Sequence, residues 1–112
     1  MDRVKLRDVE TGVTISFVAM MLDTGSDVTL VPRSAVTRLG VSVDEDKLFA
    51  VRGFDEQERR CPSARLELVF LRRRFQGTFL LINQETGILG RDILNQFCLR
   101  FDGPDLFWEQ EE

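Results

Sequence analysis

The chain has 112 residues, 43% of them hydrophobic and 30% charged, which describes one globular domain (residues 1–112) with one modest core rather than a disordered segment. A formal charge of −4 argues against nucleic acid as a partner. Histidine is absent, which removes Ser-His and Cys-His dyads, histidine metal ligands and histidine pH switches together.

In chain order, Val13, Ile15 and Phe17 alternate with Thr14 and Ser16, the period-two pattern of a half-buried strand. It is expected to pair with Val4-Lys5-Leu6 through a turn at Asp8-Val9-Glu10-Thr11-Gly12. After Met20-Met21-Leu22-Asp23-Thr24-Gly25-Ser26-Asp27, a short strand over Val28 to Val31 is stopped by Pro32, and a helix follows from Arg33 to Leu39 with Gly40 past its end. Two strands, Leu48 to Arg52 and Glu58 to Cys61, flank Gly53-Phe54-Asp55-Glu56-Gln57 as a hairpin. Leu66, Leu68 and Phe70 alternate with Arg65, Glu67 and Val69 in a further strand. Arg72-Arg73-Arg74 reads as a solvated turn, because neither a basic face nor an aromatic platform accompanies it.

Phe75 to Ile82 is the next strand, then a turn at Gln84-Glu85-Thr86-Gly87 and the apolar pair Ile88-Leu89. Arg91 to Phe97 has helical composition. Leu99 to Phe101 and Leu106 to Trp108 bracket Asp102-Gly103-Pro104-Asp105, a strong turn signal, and the acidic tail 109–112 is expected to fray. Cys61 and Cys98 belong to no CxxC pair and read as buried free thiols, so neither a metal nor another cofactor is expected. No stretch reaches the ~18 apolar residues of a membrane span. The chain therefore reads as cytoplasmic, unless it is trimmed from a membrane-anchored or larger parent. The sum is about eight short strands and two short helices, a mostly β chain closed or rolled into a small barrel.

Two segments carry chemistry. Leu22-Asp23-Thr24-Gly25-Ser26-Asp27 ends an apolar strand on a tight loop, and Gly87-Ile88-Leu89-Gly90-Arg91-Asp92-Ile93-Leu94 follows at a distance, with the hairpin between them. Together they resemble the retropepsin-like (retroviral-type) aspartic proteases, as a single-domain cellular member, over nearly the whole chain from about Val13 to Phe101. The resemblance implies a closed acid-protease barrel with a flap hairpin (about 48–61), one or two short helices, and a homodimer joined partly by a C-terminal hairpin (about 98–109) carrying Leu99, Phe101, Leu106, Phe107 and Trp108.

It also implies roles. Asp23, Thr24 and Gly25 are the catalytic set. Asp23 meets its symmetry copy, the two carboxylates share one proton because both cannot ionise cheaply in contact, and water between them is the nucleophile. Thr24 hydrogen-bonds across the axis toward the carbonyl of Leu22. Gly25, Asp27, Gly53, Phe54, Ile88 and Leu89 are expected to bind substrate. Leu22, Ser26, Gly90 and Arg91 are expected to support the loop and the dimer, with Asp27 tied to Arg91. Here the flap tip has a single glycine and two acids, unlike the glycine-rich viral tip. A hydroxyl at Ser26 can donate to a carboxylate, which predicts that Ser26→Ala raises the pH optimum.

The implied activity is that of an aspartic endopeptidase acting on an extended protein or peptide substrate, with hydrophobic residues flanking the cut. The rival reading is a catalytically weak dimerisation or peptide-binding module on the same fold. Phosphatase, calcium-loop and actin-like readings of Asp23-Thr24-Gly25-Ser26-Asp27 fail on chain length or on missing ligands.

Overall fold

The computed structural model describes residues 2–52, 58–96, 98–102 and 107–111, with Arg52 and the last two stretches described by their backbone alone. The chain forms β1 (Asp2–Arg7), β2 (Thr14–Leu22), β3 (Leu30–Pro32), α1 (Arg33–Leu39), β4 (Asp44–Arg52), β5 (Glu58–Phe70), β6 (Arg73–Ile82), β7 (Gly87–Leu89), α2 (Arg91–Leu94), β8 (Cys98–Asp102) and β9 (Phe107–Glu111). The main sheet runs β1-β2-β7-β3-β6-β5-β4, and β1 also pairs with β5 through Lys5↔Val69, Leu6↔Leu68 and Arg7↔Glu67. Those pairings close a ring of six strands and leave β4 on the outer side of β5. Closure removes the free edges that an open sheet of this size would expose.

Alternation along the strands fills the ring. Val4, Leu6, Val18, Met20, Val31, Leu66, Leu68, Phe70, Leu81 and Leu89 turn inward to one core, with Ala35, Val36 and Leu39 of α1 packed against it. A second, smaller cluster of Leu30, Cys61 and Ile82, with Val51, Leu80 and Ile88 beside it, lies on the opposite faces of the same strands. Cys61 is a free, buried thiol, and burial pushes its pKa above the ordinary value, so it is a poor nucleophile.

Several sequence expectations shift. The β1–β2 hairpin is present, but its register slips between Val4↔Val18 and Leu6↔Ile15, so β2 carries one extra residue. Phe17 takes φ 63° at this bulge and is 79% exposed. The bulge reverses the parity of the strand, so Val18 and Met20 are buried and Phe17 is not. The two strands expected either side of Pro62 are one strand, β5. Pro62 lies opposite the break in the β4 ladder between Asp44↔Ser63 and Phe49↔Cys61, where a missing N–H costs no ladder bond.

The turn expected at Arg72–Arg74 sits at Leu71-Arg72, both with positive φ, while Arg73 and Arg74 enter β6. Two-residue hairpin loops need that left-handed geometry to match strand twist, and no Asn-Gly announces it here. The strand expected from Val28 begins at Leu30 and includes Pro32. The second helix stops at Leu94 rather than Phe97, and the tail residues 109–111 continue β9 instead of fraying. The helix from Arg33 to Leu39 has the expected bounds, and Gly40 closes it at φ 84°.

Candidate active site

The topology decides what lies beside Asp23. Strands β2 and β3 are consecutive, yet β7 is inserted between them, parallel to β2 through Met20↔Gly87, Met21↔Ile88 and Leu22↔Leu89. Parallel strands in register end on the same side of the barrel. The loop 23–29 leaving β2 and the Gly90-Arg91 segment leaving β7 therefore emerge together, although more than sixty residues separate them in sequence.

The amide of Asp23 donates to the Leu89 carbonyl at 3.0 Å, which pins the residue to the end of β7. The loop then folds on the aspartate itself: Gly25 N–H donates to Asp23 Oδ1 at 2.9 Å, and Ser26 N–H to the Asp23 carbonyl at 3.2 Å. Arg91 N–H donates to the Ser26 carbonyl at 2.8 Å, joining the two segments a second time. Thr24 and Gly25 are exposed, Asp23 is half-buried, and Leu22 packs against the main core. Asp23 is thus a half-buried carboxylate held by backbone on a loop rooted in two strands.

Asp27 and Arg91 form an ion pair between Oδ1 and Nη2. In the single chain their side chains are 78% and 51% exposed, so the pair contributes at most about 1 kcal/mol to stability. Its effect is to orient Asp27 beside the loop.

Ser26 and Leu89 differ from expectation. The Ser26 hydroxyl donates its hydrogen to the Val28 carbonyl at 2.8 Å. That hydrogen is not directed at the Asp23 carboxylate of its own chain, so the expected rise in pH optimum for Ser26→Ala loses its basis. Leu89 is fully buried in the main core, because neighbouring residues of a strand face opposite sides. Of the expected pair only Ile88 faces the side away from the core, between Met21 of β2 and Leu30 of β3, and Leu89 serves the site through its carbonyl. Strands β4 and β5 form an antiparallel hairpin up to Arg52↔Glu58; its tip, with Gly53 and Phe54, lies outside the described residues. Strands β8 and β9 pair antiparallel from Cys98↔Glu111 to Asp102↔Phe107, where the C-terminal hairpin was expected.

Sequence reasoning missed a clamp formed by Thr29 and Asp92. Thr29 is 1% exposed; its hydroxyl donates to Asp92 Oδ1 at 2.6 Å and accepts from Gly90 N–H at 3.1 Å. The Thr29 amide donates to Asp92 Oδ2 at 3.1 Å, and the Ile93 amide to Oδ1 at 2.9 Å. The signal was a hydroxyl two residues after Asp27 and an acid directly after Arg91, which extends the expected Asp27–Arg91 tie by one more link. Thr29→Val would leave the Gly90 amide without its acceptor and Asp92 with one donor fewer. We expect it to cost about 2 kcal/mol in urea unfolding, with Thr29→Ser costing clearly less. Equal stabilities for the two variants would show that the hydroxyl is not what holds the clamp.

No family model matches this chain, and no curated protein does. Among solved structures the chain is similar to the EIAV protease complexed with the inhibitor HBY-793, at 19% identity and a TM-score of 0.60, over 85% of this chain and 84% of that one. No helix among the described residues is long and apolar enough to cross a membrane. With its closed six-stranded barrel and few short helices, the chain has a retropepsin-like fold, the fold of a retroviral protease.

Proposed function

We propose that the chain is an aspartic endopeptidase that works as a homodimer. The observation that carries this reading is the Asp23 loop: a half-buried aspartate, tied by its amide to Leu89 and by its carboxylate to the Gly25 amide, on a barrel like that of a protease which binds an inhibitor. One carboxylate cannot both take a proton from water and donate one to the scissile carbonyl, so a second Asp23 is required, and the exposed Thr24-Gly25 edge is where a second copy would bring it. In the dimer one carboxylate is ionised and removes a proton from the bound water. Its protonated partner donates a hydrogen bond to the carbonyl, and no covalent intermediate forms. Asp27, oriented by Arg91, and the backbone of Gly25 hold the substrate main chain. The β4–β5 hairpin is the flap that closes over an extended peptide and excludes water.

The test is cleavage of casein, or of an octapeptide with apolar residues at its centre, across a dilution series of the purified chain. Specific activity should fall on dilution, because the site exists only in the dimer. Absence of cleavage at any chain concentration, or a rate strictly proportional to concentration through dissociation of the dimer, would overturn the reading.

A further inference from the structure

Met20 and Met21 are neighbours on β2 with opposite surroundings. Met20 is fully buried, its sulfur packed over Gly87. Met21 is 50% exposed on the other face of the strand, two residues before Asp23. Its register partner is Ile88, and Ile88 is in turn opposite Leu30, so Met21 is the open end of an apolar row crossing β2, β7 and β3 directly beside the catalytic loop. The other exposed large apolar side chains among the described residues, Val13, Phe17 and Leu48, bear no sulfur. Among the described residues only Met21 combines exposure, a reactive thioether and adjacency to Asp23.

We propose that Met21 is a peroxide-oxidation site whose sulfoxide form weakens the hold of the cleft on apolar substrate side chains. The proposal rests on reading this face as the substrate cleft. In the step, the thioether sulfur gives an electron pair to one oxygen of hydrogen peroxide. The S–O bond forms, the O–O bond breaks, and the second oxygen leaves as water after proton transfer. Sulfur is oxidised by two electrons and peroxide is reduced by two. The product places a strong dipole beside half-buried Ile88, where a bound leucine or phenylalanine side chain offers it no hydrogen bond. Methionine sulfoxide is enzymatically reducible, so the change is reversible. Cys61 does not compete at low peroxide, since it is buried and its thiol is held protonated.

The test exposes the folded chain, and Met21→Leu, to hydrogen peroxide and reads two quantities. Tandem mass spectrometry should find one added oxygen on Met21 while Met20 is still unmodified. Oxidation of Met20 at an equal rate, or a folded chain in which Met21 stays unmodified, overturns the proposal. The second quantity is the affinity, before and after peroxide, for a fluorescent peptide with leucine and phenylalanine flanking a reduced, uncleavable amide. Wild type should lose about tenfold and Met21→Leu should keep its own starting affinity. An unchanged wild type, an equal loss in Met21→Leu, or no binding before oxidation likewise overturns it. A chain that binds this peptide but never cleaves its ordinary amide counterpart would instead sink the endopeptidase reading alone.

Discussion

Replacing Asp23 by asparagine should lower peptide cleavage by about 10³-fold or more, because neither the proton acceptor nor the shared proton survives the change. The fold should be kept. An asparagine carbonyl can still accept the Gly25 amide that now meets Asp23 Oδ1 at 2.9 Å, and the backbone bond from residue 23 to the Leu89 carbonyl does not involve the side chain. In the proposed dimer the change also removes a repulsion between the two carboxylates, so association should not weaken.

Those properties make the variant a test of how many chains build a site. When wild-type and Asp23→Asn chains are mixed equally and allowed to re-pair, about a quarter of the dimers hold two intact carboxylates. Total activity should then follow the square of the wild-type fraction, so activity per wild-type chain drops to about half. A linear dependence would mean that one Asp23 suffices, and equal non-zero cleavage by both pure proteins would remove Asp23 from the chemistry.

The candidate site could be picked out because its two segments are short, unusual together and each contains a glycine. Asp23 and Gly90 meet in space because β2 and β7 run parallel in register, and the sequence shows only that both segments end on similar signals. What could not be read depends on parity and pairing partners. Leu89 looked like cleft lining because it is apolar and next to Ile88, but strand alternation sends it into the core. Phe17 looked buried because it continues a period-two pattern, until a one-residue bulge turns it outward. Pro62 looked like a strand end, and only the break in its β4 neighbour shows why it is not. The Thr29–Asp92 clamp was hidden for another reason: each residue alone is an ordinary surface polar residue, and their pairing across 63 positions exists only in the fold.

Gly90→Ala should be severely damaging although it touches no ionisable group. The residue has φ −94° and ψ −176°, an extended conformation alanine adopts freely, so the backbone angles are no obstacle. Space is the obstacle. A Cβ there would lie 2.5 Å from the Val28 carbonyl oxygen, 2.6 Å from the Val28 carbonyl carbon and 2.9 Å from the Ser26 carbonyl oxygen. All three are backbone atoms, so no rotamer change relieves the contact and the loop 26–28 must move away from β7. That movement strains the Arg91–Ser26 backbone bond and the Gly90–Thr29 bond, and it tilts Asp27 from Arg91. We expect a loss of about 2–3 kcal/mol in urea unfolding. Cleavage should fall further than stability accounts for, because Asp23 is carried on the same loop and a displacement of about 1 Å at a reacting group can cost ~10²-fold. Gly77→Ala is the matched control: a Cβ at Gly77 meets nothing within 4 Å, and its cost should be within about 1 kcal/mol, the ordinary strand preference against or for the methyl. Were the two variants equally stable and equally active, the close approach of the Asp23 loop to Gly90 would not be what sets the site.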